Sequence, residues 1–353
     1  MTDPVLVAGG HWFPGIERHV TEADMARFTG RWRTVTGFLL VCGIVGGVVW
    51  AVRGQDWSGT RTLVTARTVP YLLAAAGLNV TALLLAMLSW RCLLIDLGHR
   101  LAPFAAARVY FLGVTAKYLP GRVWVVLTQI RLAGDLGVGG GTVVTAFLLN
   151  IVLVLLAGLS VGALAGPEIL GRWGWLLVAP VVGLLAMLVW PNLVPRTATV
   201  GARLIRRRPT APLGDGIGTR MAIGFQLACW LASGLHLWLL AVAAGAPPER
   251  SLPVAVGGFA LATMLSNVVI VVPDGVAVRE LLLATALLSV LSFTDAATVA
   301  LASRVVSLLT ELATAAVVLA AAGAIRRYGR SVRQLSHHPS DLPDSHQDSV
   351  TAT

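Results

Sequence analysis

Charge-free runs set the organisation of the chain. Residues 70–90, 143–164, 173–190 and 221–244 are apolar and carry no Asp, Glu, Lys or Arg. Each approaches or exceeds the roughly 20 residues that a helix needs to cross the hydrocarbon core of a bilayer. The run 36–52 is uncharged but shorter, and 297–325 is longer and holds Arg304 and Glu311. The pattern predicts an all-α, polytopic membrane protein with about six full spans.

Two further regions, 103–133 and 253–293, are apolar but broken. Each begins at a proline and ends its first arm at another, Pro120 or Pro273, with Gly121 or Gly275 close behind. Each then resumes as a second apolar arm with an arginine near its start, Arg122 or Arg279. Proline removes a backbone donor and crowds the preceding turn, so that with glycine it stops a helix. Broken helices at membrane depth persist only where protein or a watery cavity satisfies the freed backbone. Both regions therefore read as re-entrant or broken-helix hairpins. The alternative is a pair of ordinary spans joined by a tight turn, chiefly for the second region, whose arms are longer. Each hairpin precedes a polar break and a long span, and three spans separate the two breaks. An odd number turns one unit over relative to the other, which suggests an inverted repeat.

Composition identifies the solvent. The 353 residues are 56% hydrophobic and 12% charged, with a mean hydropathy of +0.78, whereas ordinary soluble domains are about 25% charged. So few charges cannot cover that much apolar surface in water. The net charge of +10 raises nucleic acid as a partner. The basic residues flank apolar runs instead, as at 206–208, and no recognition motif accompanies them, so nucleic acid is not expected. With the N-terminus in the cytoplasm and each hairpin returning to its own side, sixteen arginines fall in cytoplasmic segments and five outside. That bias predicts a cell-membrane protein with both termini cytoplasmic. The division expected is a cytoplasmic segment at 1–35, a transmembrane domain at 36–325 and a disordered cytoplasmic tail at 326–353. The run from Thr36 reads as an uncleaved signal anchor. Trp50, Trp57, Trp90, Trp173, Trp175 and Trp190 sit at expected span ends, as interfacial anchors do. Gly158, Gly162 and Gly166, four apart, mark a close helix contact. Cys42, Cys92 and Cys229 have no metal spacing and read as packing residues.

The charges inside the membrane part carry the candidate chemistry. A charged side chain at the bilayer centre costs about 2.5–3.5 kcal/mol on insertion scales. The interrupted regions and the last span nevertheless hold Arg108, Lys117, Arg122, Arg131, Asp274, Arg279, Glu280, Arg304 and Glu311. Full pairing of these leaves a surplus of three positive charges, which would draw an anionic group such as a phosphate or carboxylate. Lys117 is the one lysine beside 26 arginines, which points to a need for a compact ammonium. The segment KYLPGRVW places a cation on each side of a break, where freed backbone N–H groups would add to an anion site. The alternative is a turn capped by Lys117 and Arg122, with their heads snorkelling to the interface. Arg279 and Glu280 are neighbours and point apart on a helix, so each needs its own partner. Arg304 and Glu311, seven apart, share a face of the last span. Glu280 with Arg304 is the preferred pair, either as part of a transport site or as a structural bridge. Asn150, Asn267 and His236 are read as interhelical hydrogen-bonding groups. No nucleotide, metalloprotease or nucleophile-elbow motif is present, so no cofactor, metal or enzymatic activity is expected.

At KYLPGRVW, VVPDGVAVRE and Arg304 the chain resembles the lysylphosphatidylglycerol synthase transmembrane-region family. That family includes the flippase half of the bacterial multiple peptide resistance factor. Its pattern is Lys-x-x-Pro-Gly, later a Pro-rich Gly-x-Gly-x-Arg-Glu, then an arginine early in the last helix. Lys117, Pro120, Gly121, Trp124, Pro273, Gly275, Arg279, Glu280 and Arg304 match it, over roughly residues 35–325. Ala277 departs from it, standing where the family often has a second glycine. Only a short tail follows the last span, so synthesis of lysylphosphatidylglycerol by this chain alone is not expected.

The resemblance and the charge pattern together imply a flippase-like protein of a bacterial membrane. Its ligand would be an anionic phospholipid or a polyprenyl-phosphate lipid. Lys117, Arg122 and Arg279 would contact the headgroup and Glu280 and Arg304 would form an internal ion pair. Pro120, Gly121, Pro273 and Gly275 would shape the breaks. Two alternatives stand: a non-transporting scaffold for a separate lipid-modifying enzyme or glycosyltransferase, and a small-solute transporter coupled to protons through Glu280 or Glu311.

Overall fold

The computed structural model describes residues 65–118, 123–191, 215–268 and 278–336, all within the unit Asp56–Thr353. The expected span at 36–52, Trp50, Trp57 and Cys42 lie outside these residues. So do the expected breaks at Pro120 and Gly121 and at Pro273 and Gly275, together with Arg122 and Asp274. Among the described residues the chain is helical and holds no strand. Lipid offers the backbone no hydrogen bonds, and a helix satisfies its own.

The elements in order are α1 (Val69–Asp96), α2 (Pro103–Thr115), α3 (Val123–Gly134), α4 (Gly140–Gly162) and α5 (Gly166–Leu170). There follow α6 (Val178–Val189), α7 (Ile217–Ala243), α8 (Pro248–Val268), α9 (Val278–Leu287) and α10 (Phe293–Ser336). Short 3-10 turns, Ala116–Tyr118 and Gly171–Leu177, follow α2 and α5. Five stretches are long and apolar enough to cross a membrane: Val69–Asp96, Gly140–Gly162, Glu168–Val189, Ile217–Ala243 and Phe293–Ile325. They coincide with the five predicted spans that fall among the described residues. Gly98 and Gly245, at φ 83° and 97°, end α1 and α7 in the left-handed region, where a side chain would be strained.

The interrupted regions differ from these spans by length. At 13 and 12 residues, α2 and α3 extend only about 20 and 18 Å, short of the roughly 30 Å core. They pack against each other as a hairpin. The second region is lopsided: α8 has 21 residues and a span-like length, whereas α9 has 10. It also begins at Pro248, five residues before the expected Pro253, which lies inside the helix.

Contacts between elements repeat across the two regions. Within each, the first arm packs on the second and the second on the long span that follows, α4 or α10. The first arm of each also packs on the long span of the other, α2 on α10 and α8 on α4. Three spans, Gly140–Gly162, Glu168–Val189 and Ile217–Ala243, lie between the two interruptions.

At the centre stands α7, whose most apolar window is 56% buried, against 28% or less in the other four spans. It packs most closely on α1. Ser89 donates to the Ala222 carbonyl at 3.0 Å. At the end of α1, buried Asp96 accepts from Gly218 N at 3.0 Å, Thr219 N at 2.6 Å and Thr219 Oγ1 at 2.7 Å. This caps the first turn of α7 from another helix. A Cβ on Gly218 would sit 2.4 Å from the Cys92 carbonyl oxygen, so only glycine allows that approach.

Small residues seat the neighbours of α4. A Cβ on Gly158 would meet the Trp230 ring at 2.9 Å, on Gly162 Leu261 Cδ2 at 2.6 Å, and on Gly166 Leu177 Cδ1 at 2.8 Å. The first two contacts lie on α7 and α8. Cys92 and Cys229 are buried and unbridged.

Two expectations need correction. Trp90 is 1% exposed and packs on Tyr110 at 5.9 Å, so it is a core residue rather than an interfacial anchor. The apolar run ends at Trp90 because Arg91 follows, but the helix continues to Asp96, and Arg91 Nε donates to the Leu101 carbonyl at 2.8 Å. By contrast Trp173, Trp175 and Trp190 are exposed. The final helix runs on to Ser336, so residues 326–336 are helical rather than the start of a tail.

Candidate functional site

One face of α10 supplies the floor of the candidate site. Arg304, Ser307, Leu308 and Glu311 recur at i, i+3, i+4 and i+7 and therefore align on one side of the helix. Arg304 and Glu311 are about 10 Å apart along its axis. Around that face, Asn79 and Leu83 from α1, Lys117 from the 3-10 turn after α2, Phe259 from α8 and Arg279 from α9 close a cavity of about 130 Å³. Residues from both interrupted regions thus meet at the last span.

Two ion pairs of opposite polarity tie α10 to those regions. Lys117 Nζ donates to Glu311 Oε1 at 2.8 Å. Arg304 Nε stands 3.6 Å from Glu280 Oε1, within ion-pair reach but beyond a hydrogen bond. The buried oxygens of Glu280 accept no hydrogen bond among the described residues. Arg279, beside Glu280 in sequence, turns the other way: its guanidinium carbon lies 4.8 Å from the centroid of the Phe259 ring. An arginine over an aromatic face gains from the ring quadrupole, the more so when shielded from water.

Phe259 also packs against two other rings. The His236 ring meets it edge-on, with centroids 5.0 Å apart and planes at 87°, and Trp230 lies 6.5 Å away. His236 Nδ1 bonds the Ser233 carbonyl, which can only accept, so Nδ1 carries the proton. Nε2 is then the acceptor for the Ser303 hydroxyl at 2.9 Å. One step along α10 from Ser303 is Arg304. A turn and a half further on, Asn79 Nδ2 donates to Thr310 Oγ1 at 2.6 Å. These bonds fix how α10 is rotated toward the cavity.

Among the described residues, fewer charges line the cavity than the sequence count holds. Lys117, Arg279 and Arg304 are opposed by Glu280 and Glu311, a surplus of one positive charge among the described residues. Arg131 is exposed on α3, and Arg108 is not one of the lining side chains. Lys117, Arg279, Glu280 and Arg304 are brought together.

A family model described as Lysylphosphatidylglycerol synthase TM region matches residues 35–328. The chain belongs to this family. A comparison with curated proteins found no match. The lysylphosphatidylglycerol synthase TM-region match spans every element that contributes to the cavity, from α1 to the lining part of α10.

Sequence reasoning about this lysylphosphatidylglycerol synthase TM-region protein missed several contributors. Phe259 reads as an ordinary apolar residue of α8, and nothing local marks it as the platform for Arg279. Asn79 and Ser307 are uncharged polar residues in largely apolar runs, with no local motif to single them out. Asp96 drew no attention because a trans-capping role depends on a residue 122 positions away. Asn150, expected to bond between helices, has a buried Oδ1 with no hydrogen bond among the described residues.

Proposed function

We propose that the chain binds the negatively charged headgroup of an anionic phospholipid or polyprenyl-phosphate lipid in this cavity and moves it across the bilayer. The observation that carries the proposal is the convergence of Lys117, Arg279 and Arg304, from three separate elements, on one cavity inside an apolar helical bundle. Buried cations are expensive in such surroundings and mark pathways or ligand sites. The family is tied by name to a lipid and supports a lipid-handling role.

In this proposal Arg279 and Arg304 meet the phosphate, with Arg122 as a further contact. Arginine presents a planar fork of donors that suits phosphate oxygens. Lys117 reaches the headgroup by exchanging Glu311 for it, and Glu280 holds Arg304 when no ligand is bound. The acyl chains stay in the surrounding lipid, so only the polar head needs a path. The role is non-enzymatic, in a bacterial cytoplasmic membrane with both termini inside.

The test is transbilayer movement of a fluorescent anionic lipid in proteoliposomes. Lys117→Ala is expected to slow it at least about tenfold, a loss of roughly 1.4 kcal/mol in transition-state stabilisation. An unchanged rate in a well-expressed Lys117→Ala protein would remove the site. A protein that moves no lipid alone but co-purifies with a transferase would favour the scaffold.

A further inference from the structure

We infer that Glu280 is a proton site coupled to the headgroup: as an anionic phosphate settles on Arg304, the Glu280 carboxylate takes a proton from water, and lipid and proton occupy the protein together. This rests on the headgroup-binding function proposed above. The starting observation is that the two carboxylates paired to the site's cations are held differently. Glu311 Oε1 accepts a hydrogen bond from Lys117 Nζ at 2.8 Å. Both oxygens of Glu280 are buried and accept no hydrogen bond among the described residues. Its ion-pair partner, Arg304 Nε, stands at 3.6 Å.

A carboxylate kept from water holds its charge while an opposite charge or hydrogen bonds compensate it, and otherwise neutralises. An Arg304 that turns donors to a phosphate gives less to Glu280, and the phosphate brings a second negative charge beside it. Both changes favour the acid form. The proton leaves the aqueous phase and forms an O–H bond with one carboxylate oxygen, and no bond of the lipid changes. Linkage is reciprocal, so a proton on Glu280 strengthens anion binding as much as the anion strengthens proton binding. Falling pH therefore tightens the lipid, and a pH difference across the membrane becomes a driving force for moving it.

The groups around Glu280 single it out. The helices packed on α9 are α8 and α10. From α10 come Arg304 and Glu311, while Asp295 near its start accepts from Ser292 Oγ at 2.6 Å. From α8 comes Phe259, and the charges of that helix, Glu249 and Arg250, are exposed in its first turn. Lys117 reaches the site from the turn after α2, and Arg279 stands beside Glu280 on α9 itself. His236 of α7, which packs on Phe259, has both ring nitrogens hydrogen-bonded. Among the described residues, Glu280 is the buried carboxylate whose oxygens no hydrogen bond satisfies. Buried acids of this kind inside membrane bundles are where protons are carried.

The experiment uses the full chain in phosphatidylcholine nanodiscs with dioleoyl phosphatidylmethanol, a diester whose own charge is constant in the range tested. Wild-type protein is expected to retain this lipid more tightly as pH falls from about 8 to about 5.5, by up to about tenfold per pH unit, the limit for one proton per lipid. In weak buffer with a pH-indicator dye, adding the lipid should withdraw protons from solution. Glu280→Gln, which keeps the shape of the neutral acid, should bind with little pH dependence and give no dye response. Glu311→Gln should keep the pH dependence. If Glu280→Gln fails to fold, the wild-type profile and dye response still decide. Retention flat with pH, no proton uptake by wild-type protein, a slope that survives in Glu280→Gln, or one lost only in Glu311→Gln overturns the inference and leaves headgroup binding intact. Retention of no lipid at any pH, or retention unaffected by Lys117→Ala, overturns the headgroup site itself.

Discussion

Phe259 shows how a residue without charge can govern a charged site. Its ring packs on the Arg279 guanidinium and on the His236 ring. Leucine at this position would fill most of the space but offer no quadrupole. Phe259→Leu is expected to weaken headgroup retention by about 0.5–2 kcal/mol, with little change in the thermal melting of the detergent-solubilised protein. Equal affinity would mean that packing alone holds Arg279. Asp96 works in the opposite register, on stability and not on the ligand. Asp96→Ala leaves the Gly218 and Thr219 donors without their acceptor and should cost about 1–3 kcal/mol, read as a lower melting temperature. Lipid retention by the folded fraction should be unchanged. Neither role was legible from the sequence, because each depends on a partner brought close only by the fold. Arg304 and Glu311 were more legible. Their spacing of seven already places them on one helical face, and that face lines the cavity.

Among the elements, length and uninterrupted apolarity made the spans readable. A run of about 20 apolar residues has few alternatives in lipid. Their ends were harder to read, since a helix does not stop at the first charge: Arg91 continues α1 by bonding a loop carbonyl. The seams between spans were partly visible as glycines. The tightest of them fall at positions with no periodic signature. A Cβ on Gly257 would lie 2.5 Å from the Ala165 backbone nitrogen, which has no side-chain freedom to give way. Gly257→Ala should therefore destabilise the protein by about 1–3 kcal/mol. Gly77→Ala, where nothing lies within 4 Å, should be neutral or stabilise by up to about 1 kcal/mol. Equal melting temperatures for the two variants would contradict the close approach of α8 to the link between α4 and α5.

At the scale of the whole molecule, the crossed packing of α2 on α10 and α8 on α4 matches the twice-occurring order of paired helices and long span. The sequence suggested that order through its paired prolines, but not the crossing, which only contacts reveal. Orientation is a separate question, carried by arginine placement. A cysteine introduced at Arg207, in a variant lacking Cys42, is expected to react with a membrane-impermeant thiol reagent only from the cytoplasmic side. Reaction only from outside would invert the topology.

Both ion pairs are fastened to a single rod. Arg304 ties α10 to the second broken region and Glu311 ties it to the first, through bonds of reversed sign on the same flank. A helix turns as a unit, so a roll or slide of α10 strains the two tethers together. Through α10 the two regions share one anchor, so a change in its rotation is expected to alter both pairs.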